Sequence, residues 1–593
     1  MNLLEKWSYM KKVFLFRPLF TIGITFFSIF AAVMEGVGLS FLLPIMEVAQ
    51  QGIPENPGMM MSIFLGMYNV LNIPFELIYI IIGAMCVMGL RFASSFMSSW
   101  IQEYLRESYI RSLRVKTYNH AMNARIALFD REGSEKILNT LLTEAKTSGR
   151  VIRRLVQIGS DGALMLIYAS VILYISPVLT LLALSMLGGI TIVLRNIIEP
   201  AYNLGSKVAD ANEDMQKTAQ AGTQGIREAK LFNITDALKS VFTRFASDYQ
   251  TSTIAYRRNK HAINSFFNLS SAVLVLGFIY LGFTWANLSM TQLGIFLFAI
   301  FRLSPLASSV NKLYYRLNGE LPHLVRTHEF LDKLQDTREA TGDRKPPDTI
   351  TQISVKDVSF TYQTDESDEQ VLDDVSLHIK RGEFVALVGP SGAGKSTITS
   401  LLARFYEPDA GTIRVNGTPL QQFELDAWRE KLAVVRQDPY IFNDTLAHNI
   451  LLYRDRDQER LDEVCQIACV HEFFDTLGEG YDTVLGDQGV RLSGGQKQRV
   501  ALARALYREA EVLILDEATS DLDTGIEQRV QQAIESMDRD HLMLTIAHRL
   551  STVRNADRIY TLENGQVIEQ GVHQTLLEKN GTYADLYASQ SNM

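Results

Sequence analysis

A chain of 593 residues is long enough for several hydrophobic cores at about 150 residues per domain, and 47% hydrophobic against 21% charged residues excludes an intrinsically disordered chain. With 57 basic and 66 acidic residues the formal net charge is -9, which argues against a chain-wide polycationic nucleic-acid binder. Three cysteines, Cys86, Cys465 and Cys469, are too few and too scattered for a disulfide framework or a four-ligand zinc site, and the last two, four apart on a predicted helix, read as core packing.

Charge is distributed unevenly along the chain. Residues 18 to 34 carry none, and the helical pattern continues through Glu35 to about Met46; Lys11, Lys12 and Arg17 precede the stretch, but no small-residue cleavage site follows, so it reads as a retained span. A second apolar opening, "LIYIIIGAMCVMGL", starts near Leu77 and runs past Arg91 into a long amphipathic continuation to about Asn123. Between Asp161 and Arg195 lie 33 residues without Asp, Glu, Lys or Arg, and between His261 and Arg302 lie 40. A membrane helix needs about 20 apolar residues, so each run is long enough for two. Ser176-Pro177 divides the first run and Asn287-Leu288-Ser289 the second. The sequence therefore predicts six membrane helices, several extending well beyond the bilayer. The loop from about Gln50 to Glu76 has no basic residue, whereas 106 to 154 and 195 to 260 are rich in Lys and Arg, which predicts short outer loops and cytosolic termini.

Charges inside such spans are candidate functional groups. Arg91 lies about 21 Å along the second span and Arg302 about 18 Å along the sixth, at middle to inner depth, with Glu35 the opposing acid in the outer half. The two arginines are candidates to receive an anionic head group, the phosphate of a lipid or lipid-linked saccharide; snorkelling or helix pairing is the competing reading. Arg195, near the interface, reads as a snorkelling side chain.

Composition changes near residue 335. The polar, proline-bearing stretch "DTREATGDRKPPDTI" predicts a linker over 336–350, between a membrane domain over 1–335 and a soluble domain over 351–593. In the latter, strand-like runs alternate with helical ones, the pattern of an α/β nucleotide-binding domain. Gly389 to Ser396, "GPSGAGKS", fits GxxxxGK[ST] between a strand and a helix. Gly389, Ser391, Gly392 and Gly394 would let backbone amides wrap phosphates. Lys395 would reach the β and γ phosphates, Thr397 belongs with the nucleotide-binding residues, and the Ser396 hydroxyl would serve a Mg²⁺ ion. "VLILD" ends a buried strand at Asp516, suited to the same Mg²⁺, and Glu517 next to it is suited to activate water.

Leu492-Ser493-Gly494-Gly495-Gln496 stands 20 residues ahead of Asp516 and opens the helical segment "KQRVALARALYR". With "GPSGAGKS" and "LILDEATSDLD", this resembles the ATP-binding cassette proteins, and the six-span N-terminal half is similar to the ABC exporters built as fused half-transporters. The likeness implies a helical six-span transmembrane domain followed by an α/β P-loop NTPase domain with a helical subdomain. It also implies that Tyr362 stacks on adenine, that Gln437 touches Mg²⁺, that His548 contacts the γ phosphate, that Glu517 is the catalytic base, and that Ser520 to Asp523 communicates across the ATP interface. Asp487 stands where exporters usually show Glu, and Arg436 replaces a more common small residue. Segments Arg125 to Lys136 and Gly225 to Asp236 would carry short coupling helices.

By the same resemblance ATP is sandwiched between the Walker A of one subunit and the Ser493 to Gln496 signature of another, so a homodimer is the simplest assembly, with a heterodimer as the alternative. The expected activity is ATP-driven export or flipping of an amphiphilic, lipid-like substrate, leaning to lipid or lipid-linked saccharide because "VMEGVGLSFLLPIME" resembles first spans of exporters serving lipid-linked glycans. Alternatives are a multidrug or peptide exporter and, more remotely, an ABC-type channel or regulator. Six spans disfavour a soluble ABC ATPase acting on nucleic acid, and about 17 residues before the first span leave no room for a fused cysteine protease. An inner-membrane location with a cytoplasmic ATPase domain is expected.

Overall fold

The computed structural model describes residues 8–12, 15–51, 59–175, 177–197, 200–284, 290–363, 368–474, 476–517, 524–536, 541–547 and 553–591. The chain divides into two compact units, one of residues 1–124 and 132–337, the other of residues 125–131 and 338–593.

Among its described residues the first unit is built of helices joined by turns. Helix α1 (Pro18–Ser40) starts with proline at its first position, where no backbone amide is required. Ile22, Phe26, Ile29 and Val33 form its exposed stripe, whereas Ile24, Ser28, Ala32 and Glu35 are buried. A fully apolar exposed stripe suits lipid, and the polar groups turn inward to partners. The helix breaks at Phe41 and resumes as α2 (Leu42–Gln51). Pro44 explains the break: it has no amide for the Ser40 carbonyl, and its ring clashes there, so the expected helix to Met46 is interrupted. The segment expected to be a short loop holds a further helix, α3 (Met59–Val70), whose Phe64 and Tyr68 pack with Phe41 and Ile80. The Tyr68 hydroxyl donates to the Tyr79 carbonyl at 2.9 Å.

Helix α4 (Leu77–Met122) runs 46 residues, about 69 Å at 1.5 Å per residue. Next in the chain comes the short α5 (Ile126–Glu132), whose residues up to Arg131 belong to the second unit; the first unit resumes with a helical turn over Ser134–Asn139 and a wider π-type turn over Thr140–Glu144, then α6 (Ala145–Ile175), α7 (Pro177–Ile197), α8 (Ala201–Gln224), the short α9 (Ile226–Leu231), α10 (Thr235–Thr284) and α11 (Met290–Asp336). Pro177 opens α7, as the breaker between the paired spans predicts; Asn287-Leu288-Ser289 lies outside the described residues. Among the described residues, Pro18–Gly38, Leu77–Met122 and Thr235–Leu281 hold runs long and apolar enough to cross a bilayer by themselves. The other predicted spans fall on α6, α7 and α11, of 31, 21 and 47 residues. Beyond the apolar runs, α6 and α11 are joined by polar pairs, Ser148 to Thr327 at 3.0 Å and Arg150 to Glu320 at 3.1 Å, and Glu144, just ahead of α6, meets His323 of α11 at 2.7 Å.

Among its described residues the second unit holds two sheets. In the first, β1 (Gln352–Gln363), β2 (Asp368–Lys380), β4 (Ala410–Val415) and β5 (Thr418–Pro419) lie antiparallel in the order β2-β1-β4-β5. The second has β3 (Phe384–Val388), β6 (Leu432–Val435), β7 (Val512–Asp516), β8 (Leu542–Ile546), β9 (Arg558–Glu563) and β10 (Gln566–Gly571), in the order β10-β9-β3-β8-β7-β6. It is parallel except for β10. Every residue of β7 is buried, the signature of a strand covered on both faces. One core fills the space around both sheets; a second, with Ile441, Ile450, Val464, Cys465, Phe473 and Val500, builds a helical subdomain. Cys465 packs there as expected, and burial pushes its thiol up to about 11.

Residues 336–350 are less free than a linker reading suggests. The Gly342 and Arg344 amides donate to Phe423 and Gln422 carbonyls at 2.9 and 3.0 Å, and Arg429 grips Glu339 through two bonds of 2.7 and 2.8 Å.

In the first unit, α8 and α11 approach so closely that a Cβ on Gly205 would overlap the Gly319 carbonyl. Gly205→Val should therefore cost about 1–3 kcal/mol of stability, read as a lowered Tm of the purified chain; an unchanged Tm would contradict the close crossing.

Candidate functional site

The phosphate loop lies at the carboxyl end of β3 and leads into α12 (Lys395–Leu402). Gly394 caps that helix at φ +98°, where a Cβ would both strain the backbone and strike Leu372. Lys395 is 6% exposed and its Nζ donates to the Gly389 and Pro390 carbonyls at 2.8 and 2.9 Å. Burial holds its pKa below the ordinary lysine value, and the nearby Glu517 and Asp516 carboxylates pull the other way. The amides of the loop and the start of α12 make an anion cradle with one cation set beside it.

Strand β7 delivers Asp516, 8% exposed, and directly after it Glu517. Glu517 adopts φ +51°, a conformation that costs a non-glycine residue roughly 1–2 kcal/mol. Its amide donates to the Ile546 carbonyl at 3.0 Å, and its Oε2 accepts from Gln437 Nε2 at 2.6 Å. Gln437 follows β6, on the other side of β7 from β8, so two strand ends hold this carboxylate between them. A carboxylate so fixed can orient a water molecule and accept its proton.

Sequence reasoning missed Gln498. It is 1% exposed, and its Nε2 lies 3.4 Å from both the Gln437 and the Glu517 carbonyls, joining the two segments. A polar side chain among the apolar buried positions of its helix, α13 (Gly494–Tyr507), is the signal that could have revealed it.

Ser493 is the N-cap of α13. Its Oγ accepts from the Gln496 amide at 3.3 Å, and the Gln496 Oε1 accepts from the Ser493 amide at 2.8 Å. Gln496 thus folds back into a capping box, and Gly494 and Gly495 form the exposed to half-buried first turn. The motif presents a helix N-terminus outward. Tyr362, at the end of β1, places its hydroxyl 3.4 Å from Thr397 of α12 and meets Phe360 and Tyr406 edge-on at 4.8 and 5.2 Å. Phe360, Tyr362 and Tyr406 line a cavity of about 410 Å³ with Asp130 and Arg131 of the 125–131 segment, and the Tyr406 hydroxyl donates to Asp130. Ser391, Gly392 and Ser396 are exposed, as are Arg436 and Asp487. His548 and Ser520 to Asp523 lie outside the described residues.

A second constellation occupies the first unit. Glu35, 8% exposed, accepts from Arg91 at 2.8 and 3.1 Å and from the Tyr168 hydroxyl at 3.0 Å; Arg302 stands 4.0 Å away with its side chain half exposed. The sequence placed Glu35 at a different depth from the arginines. The structure sets all three level, because α1 is prolonged by α2 and Glu35 falls midway along the pair.

A family profile described as the ABC transporter transmembrane region matches residues 21–304, and one described as ABC transporter matches 372–520. The chain belongs to the ABC transporter family. An ATP-dependent lipid A-core flippase of Pseudoalteromonas translucida is 31% identical over 86% of this chain and 88% of its own length. That of Thiobacillus denitrificans is 33% identical over 84% and 87%. A solved bacterial Atm1-family ABC exporter with ATP bound shares the fold, with a TM-score of 0.80 at 23% identity, over 96% of this chain and 99% of that one. This ABC transporter is accordingly a membrane protein that binds ATP and couples its hydrolysis to transport.

Gln498→Leu keeps the volume but removes the bridge between Gln437 and Glu517. The maximal ATPase rate should fall about 10-fold with the KM for ATP little changed; a rate within twofold of the unaltered transporter would show that the bridge is idle.

Proposed function

We propose that two copies of this transporter form a homodimer that uses Mg²⁺ and ATP to flip an anionic, lipid-like amphiphile out of the cytoplasmic leaflet of a bacterial inner membrane, with both cassettes in the cytoplasm. The observation that carries the cargo class is the Glu35 cluster. Two guanidinium groups face one carboxylate, so one positive charge is left over among apolar helices, and Arg302 keeps half its side chain exposed. A phosphate-bearing head group would neutralise it. The lipid A-core flippase names of relatives spanning most of the chain point to the same class.

In the proposed cycle Tyr362 stacks on adenine, the phosphate loop with Lys395 cradles the phosphates, and Glu517 takes the proton of the attacking water, with His548 near the γ phosphate. Ser396, Asp516 and the Oε1 of Gln437 offer hydroxyl, carboxylate and amide oxygens, the donor set a hard divalent cation takes, and would hold Mg²⁺, which supplies charge neutralisation on the phosphates. The exposed N-terminus of α13, with Ser493, Gly494, Gly495 and its Gln496 cap, would close over the partner's nucleotide. Exposed apolar residues favour a second copy: Leu231 and Phe232 beside α9, at 79% and 69%, and Tyr440, Phe442 and Val490 on the cassette. Glu517, held by Gln437, favours turnover over an ATP-gated channel.

Glu517→Gln should lower ATP turnover by at least about 100-fold while nucleotide binding persists. Near-normal hydrolysis would remove Glu517 from the mechanism. Mixing unaltered chains with Ser493→Ala chains should give assemblies of impaired rate, and full activity from a monomer in lipid would refute the shared site.

For the cargo, ATPase activity of the lipid-reconstituted transporter is measured across anionic lipids, lipid-linked saccharides and cationic drugs. Stimulation by anionic amphiphiles, reduced roughly 10-fold to 100-fold in apparent affinity by Arg91→Gln with Arg302→Gln, is the expected result. Stimulation by cationic drugs alone would replace the lipid reading with multidrug export.

A further inference from the structure

Away from the Glu35 cluster, α6, α10 and α11 bring a second set of cations together. On α10 Lys260 stands one turn from Tyr256 and one turn from Asn264; Tyr256 stacks on Tyr315, the neighbour of Arg316 on α11, and Asn264 accepts from Lys312 of α11, so Lys260, Lys312 and Arg316 share one helix crossing, with Arg154 and Arg257 adding to the field on Lys260. Two acids share this stretch and are outnumbered by its cations: Asp161 acts on Lys312, and Glu320 acts on Arg316. Glu320 receives Arg150 at 3.1 Å and Arg154 at 3.5 Å, and Asp161 accepts from Ser309 at 2.6 Å. Lys312 donates to the Asn264 side chain at 2.9 Å. Lys260 and Arg316 are half-buried, and among the described residues neither makes a hydrogen bond or a close ion pair, Glu320 acting on Arg316 from a longer range. Gathering unpaired cations where water is partly excluded is unfavourable unless an anion joins them.

The backbone holds these residues in place. Tyr256 and Tyr315 stack at 5.3 Å, and Gly319 lets the Tyr256 ring press against α11, fixing α10 against α11 one turn from Lys260 and Arg316. Arg316 lies 14 positions after Arg302 on one continuous helix, about 21 Å along it. That is too far for one phosphate to touch both.

We infer that Lys260, Lys312 and Arg316 form a separate binding station for a phosphate-bearing lipid head group, at which the cargo is held before it reaches Arg91 and Arg302. This rests on the anionic-amphiphile reading above for its place in transport, but not for the binding itself. Three donors on two helices can surround a phosphate, with Arg154 and Arg257 adding to the attracting field. The reserve of positive charge also explains why Glu320 and Asp161 do not suffice to neutralise this stretch.

The test uses the full chain in nanodiscs of phosphatidylcholine, titrated with pyrene-labelled phosphatidic acid. Lys260→Gln with Arg316→Gln should weaken binding of this probe about 10-fold, whereas Lys260→Arg with Arg316→Lys, which keeps both charges, should bind as the unaltered chain does. Unchanged affinity in the neutralised pair, or an equal loss in the charge-conserving pair, overturns the site. Inorganic pyrophosphate should displace the probe only weakly; complete displacement would overturn the lipid assignment in favour of a free-phosphate site. Arg91→Gln with Arg302→Gln is measured alongside for ATPase stimulation. Lost stimulation in that pair, combined with unchanged probe affinity in the neutralised Lys260 and Arg316 pair, sinks the second station and leaves the transport reading standing; unchanged stimulation in that pair, combined with weakened probe binding in the neutralised Lys260 and Arg316 pair, leaves the station standing as a lipid site without that reading.

Discussion

Removing an ionic group from water is costly unless a partner of opposite charge or several hydrogen bonds replace the solvent, and this constraint shapes both units of the transporter. In the membrane unit Glu35 sits on the buried stripe of α1, and α4 and α6 supply Arg91 and Tyr168 to it. Three helices are tied at one level by a single carboxylate. In the cassette Lys395 is at least as enclosed, and it lies against the carbonyls of its own loop with two carboxylates near. In each unit the buried charge stands where the cargo or the nucleotide is proposed to act.

The nucleotide side depends on a small region of backbone in an unfavourable conformation. Glu517 departs from β7 at positive φ, which turns its side chain toward Gln437 instead of continuing the strand. Such strain persists only where surrounding contacts over-determine it. Here those contacts are the amide bond to Ile546, the Gln437 side chain and the Gln498 bridge. Because Gln498 belongs to α13, the helix that starts at Ser493, the element presenting the signature motif is joined to the carboxylate beside the phosphate loop.

Much of the architecture was legible because it follows from local rules. Charge-free runs of sufficient length announce membrane helices, and glycine, lysine and serine at fixed spacing after a strand announce a phosphate loop. Where the reading failed, a competing local effect or a distant partner was responsible. Pro44 broke the first span at Phe41. The segment Met59–Val70 lies within the stretch from Gln50 to Glu76 that reads as an outer loop, yet its apolar side finds cover against Phe41 and Ile80. Residues 336–350 looked free because they are polar, but backbone amides and Glu339 pin them to the cassette.

Sequence alone determined the family motifs, the order of membrane domain and cassette, and which charges lie in apolar surroundings, since each depends on residue type and spacing along the chain. Tertiary structure decided which charges meet. Glu35 and Arg91 are 56 positions apart, Glu35 and Tyr168 are 133 apart, and Gln437 and Glu517 are 80 apart. Periodicity can assign each of these residues to a helix face or a strand end. It cannot fix the depth at which two helices cross or the direction in which a strained residue turns its side chain, because both are set by packing between segments that are remote in the chain.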